Sequence, residues 1–84
     1  MAYNVILPNR VQKELAKLSG QYRVRVTHAL VLLGHDPFLG KKLLGERKGE
    51  WSHRVWPYRI LYEIHRDRLI VLVIRIAHRG GAYR

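Results

Sequence analysis

A strict alternation of side chains constrains the fold of this chain more than any other feature. Every second residue after the Trp56-Pro57 pair is aromatic or aliphatic, namely Tyr58, Ile60, Tyr62 and Ile64. The same alternation precedes that pair, at Trp51, His53 and Val55. Successive side chains of a β-strand point to opposite faces, so the pattern predicts a hairpin that turns at Trp56-Pro57 and has one apolar face. The fold must cover that face with other elements.

The N-terminal part of the chain supplies two helices for this purpose. Residues 1–7 are interpreted as an opening strand, which Pro8 ends because proline cannot donate to a strand ladder. Apolar residues at helical spacing then predict a helix from about residue 10 to 19, with Asn9 as its N-cap. A second pattern of this kind predicts a helix from about residue 21 to 33. Together the two helices are expected to form a hairpin.

The C-terminal part completes the predicted sheet. Residues 37–49 mix glycines with cations and are interpreted as a basic loop region. The β-branched run from Leu69 to Ala77 predicts a central strand that is buried on both faces. The order β-α-α-β-β-β predicts an α+β fold, in which an antiparallel sheet carries helices on one face. A chain of 84 residues can bury only one core, so residues 1–84 are predicted to form a single domain.

The charge of the chain indicates a polyanionic partner. Lysine and arginine number 16 against 6 aspartates and glutamates, which gives a formal net charge of +10. Residues 41–84 hold eleven of these cations and four of these acids. Phosphate backbones bind clustered cations through the release of counterions, which makes nucleic acid the first candidate. A solvated basic surface is the alternative.

Composition also excludes several classes of site. The chain has no cysteine, which rules out disulfides, thiolate metal sites and a cysteine nucleophile. His28, His35 and His65 lack ligand spacing and neighbouring carboxylates, so no metal site and no cofactor are predicted. The N-terminus does not resemble a signal peptide, and the longest apolar run, Leu69 to Ile74, is too short to cross a bilayer. We therefore expect a cytoplasmic protein without a membrane partner.

Strand parity further predicts a cluster of arginines on the sheet. If each strand is regular, four arginines fall opposite the apolar set: Arg54, Arg59, Arg75 and Arg79. A planar guanidinium donates paired hydrogen bonds to phosphate oxygens, so such a cluster predicts a phosphate site. Ion pairs with Glu50, Glu63 and Asp67 are the alternative, although these acids are too few to pair every cation. His53 falls on the apolar side and is interpreted as a core or interface histidine. A bulge would reverse part of this assignment.

These segments together resemble a known family. The stretch WSHRVWPYRILYEI, the apolar strand after it and the closing HRGGAYR are similar to the RelE branch of the RelE/ParE toxins, as are the opening MAYNVIL and the linker PFLGKKLLG. The resemblance spans nearly the whole chain and implies the RelE-like microbial ribonuclease-type fold. It also implies a toxin of a type II toxin–antitoxin system. Members of that branch are ribosome-dependent endoribonucleases that cut messenger RNA in the decoding site without a metal.

The resemblance assigns roles to individual residues. By position, Arg59 and Arg79 match the family's catalytic arginines, and Tyr83 matches its C-terminal tyrosine. Arg54 stands where the family often has a basic residue, and an arginine stays charged at neutral pH, which favours phosphate binding over proton transfer. Proton transfer then falls to His78 or Tyr83. The cations predicted to bind the RNA backbone are Lys41, Lys42, Arg47, Lys48, Arg75 and Arg84.

The family also implies two partners, an antitoxin, which we expect to be acidic, and messenger RNA on the ribosome. Four apolar side chains on the predicted arginine face would give the antitoxin a docking surface: Leu61, Leu69, Val71 and Val73. Two alternatives stay open. The ParE branch shares the fold and inhibits DNA gyrase by binding protein, although Arg59, Arg79 and Tyr83 together argue against it. An inactive relative that only binds RNA is the other alternative.

Overall fold

The computed structural model describes residues 2–81, in which helices and strands follow the predicted order. The strands are β1 (Asn4–Ile6), β2 (Lys41–Lys42), β3 (Trp51–Val55), β4 (Tyr58–His65) and β5 (Ile70–His78). The α-helices are α1 (Asn9–Ala16) and α2 (Gly20–His35), and 3-10 helices cover Pro37–Leu39, Gly45–Arg47 and Arg79–Gly81. The α+β class is confirmed. The short strand β2 lies inside the segment interpreted from sequence as a loop.

Both α-helices differ by a few residues from their predicted limits. α1 begins at Asn9, and the extended Pro8 precedes it as the N-cap, so the capping role predicted for Asn9 is wrong. Asn9 already has helical geometry, which places its side chain past the capping position. α2 continues to His35 and includes Gly34, where a Cβ would lie only 3.1 Å from Val5 Cγ2 of β1. Glycine at this position therefore lets β1 pass close to α2. Within the described residues, neither helix has the length and apolar character needed to cross a membrane.

The sheet is mixed and has the strand order β1-β5-β4-β3-β2. β4 pairs antiparallel with both β3 and β5, and β2 pairs antiparallel with β3. β1 instead runs parallel to β5, with Asn4 opposite Ile70 and Ile6 opposite Leu72. The predicted antiparallel sheet is therefore correct for β2 to β5 and wrong for β1. The intervening helices allow the parallel pairing, because a parallel neighbour needs a long connection.

A β-bulge in β5 changes which of its side chains face the helices. Tyr62 pairs with Val73, but its neighbour Leu61 pairs with Arg75, so Ile74 is an additional residue on β5. Side chains along a strand alternate between the two faces of the sheet. One additional residue therefore reverses the face predicted for every side chain on one side of the bulge. The valines before the bulge consequently point toward the helices, on the same side as Tyr62.

The helix-facing side of the sheet forms the hydrophobic core. Its buried cluster comprises Val11, Val26, Ala29, Leu30, Leu33, Ile60, Tyr62, Val71, Val73 and Ile76. The parity predicted for the hairpin is confirmed, since Ile60 and Tyr62 lie in the cluster and Tyr58 and Ile64 pack against it. Full burial of a Val, Leu, Ile, Phe or Met side chain contributes about 1.5–3 kcal/mol, so these contacts fix the orientation of β4 and β5.

The apolar docking surface predicted on the arginine face is wrong. Val71 and Val73 belong to the core and Leu61 is also fully buried, so none of the three is exposed to a partner. Leu69 lies outside β5, in the preceding turn, with a φ of 53°. The bulge is the physical reason, because it moves the two valines to the helix side. Large exposed apolar side chains lie elsewhere, including Val24, Val31 and Leu32 on α2 and Trp56 in the hairpin turn.

Candidate functional site

Two arginines, Arg54 and Arg59, face each other across the β3–β4 hairpin and are called here the arginine pair. They are direct partners in the register, and Ala77 of β5 lies on the other side of Arg59. The next pair along the hairpin is His53 and Ile60, and Ile60 points into the helix-facing core. The arginine pair therefore projects from the opposite side of the sheet. Like charges directly opposite each other destabilise a sheet, which makes this side suited to an anion.

A pocket of about 360 Å³ borders the arginine pair. It is lined by Leu39, Gly40, Lys41, Leu43, Ser52, His53, Arg54 and Arg59. Lys41 joins the lining because β2 pairs with β3, which places Lys41 opposite Ser52. Among the described residues that line the pocket, there are three lysines and arginines and no carboxylate. Guanidinium and ammonium groups at one place form an electrostatic and hydrogen-bonding site for phosphate oxygens.

A buried hydrogen-bonded contact between Gly40 and Tyr62 fixes the chain where it enters β2. The Tyr62 hydroxyl donates to the Pro37 carbonyl at 2.7 Å and accepts from the Gly40 amide at 3.1 Å. Burial raises the pKa of Tyr62 to about 12. A Cβ at Gly40 would collide with the Tyr62 hydroxyl and would lie 2.9 Å from the Ser52 carbonyl oxygen. Only glycine fits, and this close approach sets the position of Lys41.

Sequence reasoning missed Gly40 and Tyr62 as supports of the site. The stretch PFLG followed by two lysines shows a glycine before a basic segment, which is the only local signal. The partner of Gly40 lies 22 residues away along the chain, and no local pattern connects the two positions.

Arg79 follows β5 and lies beside the hairpin turn. Its guanidinium carbon is 4.7 Å from the centroid of the Trp56 ring, and its backbone amide donates to the Pro57 carbonyl at 2.8 Å. His78 pairs with Tyr58, and the centroids of their rings are 5.6 Å apart. Since Tyr58 packs against the core, His78 lies on the side of the sheet opposite to the arginine pair. The structure thus separates His78 from the arginine pair by the thickness of the sheet.

Arg75 is held at α1 by Glu14. Its Nε lies 3.5 Å from Glu14 Oε2, and the same carboxylate accepts a hydrogen bond of 2.9 Å from the backbone amide of Ile76. Arg75 does not line the pocket beside the arginine pair. The register places Arg75 opposite Leu61, on the same side of the sheet as Arg59, as the parity predicts, so the ion pair with Glu14 is what directs this side chain to α1. A role of Arg75 in RNA binding stays a prediction.

The cations of the basic loop region occupy several different places. Arg47 forms an ion pair with Glu50 at 2.9 Å. Lys42 pairs with Trp51, which packs against the core, so Lys42 and Lys41 project from opposite sides of β2. Lys48 is exposed. Of the loop cations, Lys41 is the one that the described structure brings to the pocket.

Two predicted site residues, Tyr83 and Arg84, lie outside the described residues 2–81. The catalytic role of Tyr83 and the RNA-binding role of Arg84 therefore stay predictions. Because Tyr83 lies outside the described residues, the assignment of proton transfer to either His78 or Tyr83 stays a prediction from sequence.

His53 is partly buried between β3 and α2. It lines a groove of about 470 Å³ together with His28 and Leu32 of α2. Burial lowers the pKa of His53 below its usual value, so the neutral imidazole is favoured. This environment agrees with the interpretation of His53 as a core or interface histidine. Within residues 2–81, no three His, Cys, Asp or Glu side chains are grouped in a way that could hold a metal ion.

Sequence comparison connects the chain to known toxins. Residues 5–83 match the family of the ParE toxin of the type II toxin–antitoxin system parDE. Toxin RelG of Mycobacterium tuberculosis (strain ATCC 25618 / H37Rv) is 33% identical over 86 residues, which cover 100% of this chain and 99% of that protein.

Structural comparison leads to the same family. The toxin–antitoxin complex RelBE2 from Mycobacterium tuberculosis contains a chain with a TM-score of 0.86 and 31% identity, covering 94% of this chain and 100% of that one. The archaeal RelE–RelB complex from Pyrococcus horikoshii OT3 contains a chain with a TM-score of 0.81 and 24% identity, covering 98% and 100%, which supports the fold alone. With the hairpin, the core and the sheet order in place, the chain belongs to the RelE/ParE superfamily of toxins from type II toxin–antitoxin systems.

Proposed function

We propose that this toxin is a ribosome-dependent endoribonuclease that cuts messenger RNA in the decoding site and thereby stops translation. The observation that carries the proposal is the arginine pair beside Lys41 in a pocket without a carboxylate among its described lining residues. The chemistry of this pocket matches the charge of an RNA phosphate.

The proposed reaction is an attack of the RNA on its own backbone. The oxygen of a 2′-hydroxyl bonds to the adjacent phosphorus, and the bond from phosphorus to the 5′-oxygen breaks. One proton leaves the 2′-hydroxyl and another is supplied to the departing 5′-oxygen. Negative charge grows on the phosphoryl oxygens as the bonds rearrange, and positioned cations stabilise it.

Each site residue has a part in this proposal. Arg59 and Arg54 hold the phosphoryl oxygens from one side of the sheet, and Arg79 approaches from the hairpin turn. Proton transfer falls to His78 or Tyr83, because an arginine stays charged at neutral pH. His78 lies on the opposite side of the sheet from the arginine pair, which favours Tyr83 for direct contact with the RNA.

We also propose that an acidic antitoxin binds and silences this toxin. One structural neighbour is described as the toxin–antitoxin complex RelBE2, and another as an archaeal RelE–RelB complex. The net charge of +10 favours an acidic partner. Exposed Val24 and Val31 on α2 supply apolar contact area for such a partner.

Inhibition of DNA gyrase is the second candidate function, because the matching family is described as the ParE toxin of parDE. In that case the basic surface would bind a protein, and the arginine pair would have no role in breaking a phosphodiester bond. The two candidate functions predict different results in two assays, messenger cleavage on ribosomes and DNA supercoiling by gyrase.

The deciding experiment adds purified toxin to programmed ribosomes with a defined messenger and maps new 5′ ends by primer extension. We expect cuts in the decoding site, and we expect Arg59→Ala to slow them by about a hundredfold to a thousandfold. Lys13→Ala is the matched control, since it removes one positive charge from an exposed position on α1. A gyrase supercoiling assay runs in parallel. Blocked supercoiling without new 5′ ends would replace the ribonuclease proposal with gyrase inhibition.

A further inference from the structure

The turn between β3 and β4 contacts Arg79 through two neighbouring residues. The guanidinium carbon of Arg79 lies 4.7 Å from the centroid of the Trp56 ring. The backbone amide of Arg79 donates to the Pro57 carbonyl at 2.8 Å. Both the backbone and the side chain of Arg79 are therefore fixed relative to a turn that belongs to a different part of the sheet.

Trp56 is itself in an unusual position for a large aromatic residue. Its side chain is 51% exposed, so burial in the core does not explain it. Trp56 also lines the groove between the hairpin and α2, together with Leu32, His53 and Arg54. The indole thus borders this groove and also contacts the guanidinium of Arg79.

An arginine at the end of a strand needs such a contact more than one within a strand. Arg54 and Arg59 are ordered by the ladder of β3 and β4, but Arg79 lies in a short 3-10 helix after β5. A long side chain in that position samples many rotamers, and most of them direct the guanidinium away from the site. An indole face is the strongest aromatic partner for a cation, and it restricts these rotamers.

We propose that Trp56 is a positioning residue, which holds the guanidinium of Arg79 in the orientation that contacts the RNA phosphate. This inference rests on the proposed ribonuclease function. Trp56 acts only through Arg79 and does not itself touch the reacting atoms. This positioning role explains why an exposed indole lies at the turn, where a small polar residue would suffice to reverse the chain.

The test compares Trp56→Leu, Trp56→Phe, Arg79→Ala and the double variant Trp56→Leu/Arg79→Ala in single-turnover cleavage on programmed ribosomes. We expect Trp56→Leu to lower the maximal rate about tenfold with little change in the half-saturating toxin concentration, because a misoriented guanidinium weakens the transition state more than binding. Trp56→Phe keeps an aromatic face and is expected to retain most of the rate. In the Arg79→Ala background, Trp56→Leu should have no further effect.

Val31→Ala is the matched control, since Val31 is an apolar residue that is 56% exposed, on an element other than the hairpin and the segment of Arg79. Thermal melts check that all variants are folded. A second readout is independent of cleavage: in NMR spectra, the side-chain protons of Arg79 should carry a ring-current shift that Trp56→Leu removes.

Three outcomes would overturn the inference. A Trp56→Leu rate equal to that of the wild type removes the positioning role. If the loss of cleavage rate in the double variant equals the product of the losses in the two single variants, the indole acts independently of Arg79. It would then contact RNA directly, as a platform for a nucleobase. A wild-type protein that cuts no messenger removes the proposed function and the catalytic part of the inference with it, while the ring-current shift still reports whether Trp56 holds Arg79.

Discussion

Arg54 and Arg59 occupy positions at which a neutral pair would stabilise the hairpin. Residues directly opposite each other in an antiparallel sheet lie close together, and like charges there lower stability. Under the proposed function, an RNA phosphate between them would reduce this repulsion and accept hydrogen bonds from both guanidinium groups. At the scale of the residue, the register of the hairpin therefore favours an anion at this place.

Tyr62 gives a prediction about alkaline pH. Burial raises its pKa to about 12, whereas tyrosine in an unfolded chain titrates near about 10. The folded protein holds the phenolic proton more tightly, so this contribution to stability is complete below pH 10 and is lost as the pH rises through 12. We expect the free energy of unfolding, measured with urea, to fall across this interval.

The same measurement on Tyr62→Phe separates this residue from the other tyrosines. The variant loses two hydrogen bonds and leaves the Pro37 carbonyl and Gly40 amide without their partner, which costs about 1–3 kcal/mol at pH 9. Between pH 10 and 12, the free energy of unfolding of Tyr62→Phe should fall less than that of the control variant Tyr3→Phe. An equal alkaline loss in the two variants would contradict the assigned role of Tyr62.

At the scale of the element, both β4 and β5 could be predicted as strands from sequence, but the side chains of β5 that face the helices could not. Alternation in β4 directs Tyr62 to the core as expected, because one face is apolar and the other is not. β5 is apolar on both faces, so its sequence does not record the bulge at Ile74. The parallel pairing of β1 and the short β2 depend on partners far along the chain. The arginine pair was therefore predictable, while the contact of Arg75 with Glu14 on α1 was not.

Glu14 connects α1 to the bulged part of β5, which leads to a prediction about stability. Its carboxylate accepts from the Ile76 amide at 2.9 Å and lies 3.5 Å from Arg75 Nε. Glu14→Ala removes the acceptor from that amide at a largely buried site, and we expect a loss of about 1–3 kcal/mol in the free energy of unfolding. Chemical denaturation of the purified variant measures this loss.

Two comparisons make the Glu14 result specific. Glu14→Gln keeps an acceptor for the Ile76 amide but loses the negative charge. Its free energy of unfolding should therefore fall less than that of Glu14→Ala. Glu46→Ala, at an exposed carboxylate in the basic loop region, should leave stability nearly unchanged. If Glu14→Ala were as stable as Glu46→Ala, the contact between α1 and β5 would contribute nothing.

At the scale of the whole molecule, the net charge of +10 predicts that the proposed RNA binding depends on salt. Each phosphate contact lowers the slope of log affinity against log salt concentration by about 0.7 for a single strand. We expect steep weakening of the binding of a single-stranded RNA between about 50 and 200 mM salt, measured by fluorescence anisotropy. Lys41→Ala should make the slope shallower by about 0.7, whereas Lys13→Ala should change it less. Identical slopes for the two variants would remove Lys41 from the RNA contact.

The parallel pairing of β1 with β5 decides when this toxin becomes complete during its own synthesis. β1 is made first among the strands, and its partner residues 70–72 are made long after both helices and the hairpin. The core needs β5 as well, since Val71, Val73 and Ile76 fill it. Until β5 has left the ribosome, the emerging segments lack both the strand that joins β1 to β4 and the core residues that it carries, and domains fold as units. The order of the strands thereby delays assembly of the toxin until its own message has been read through the last strand.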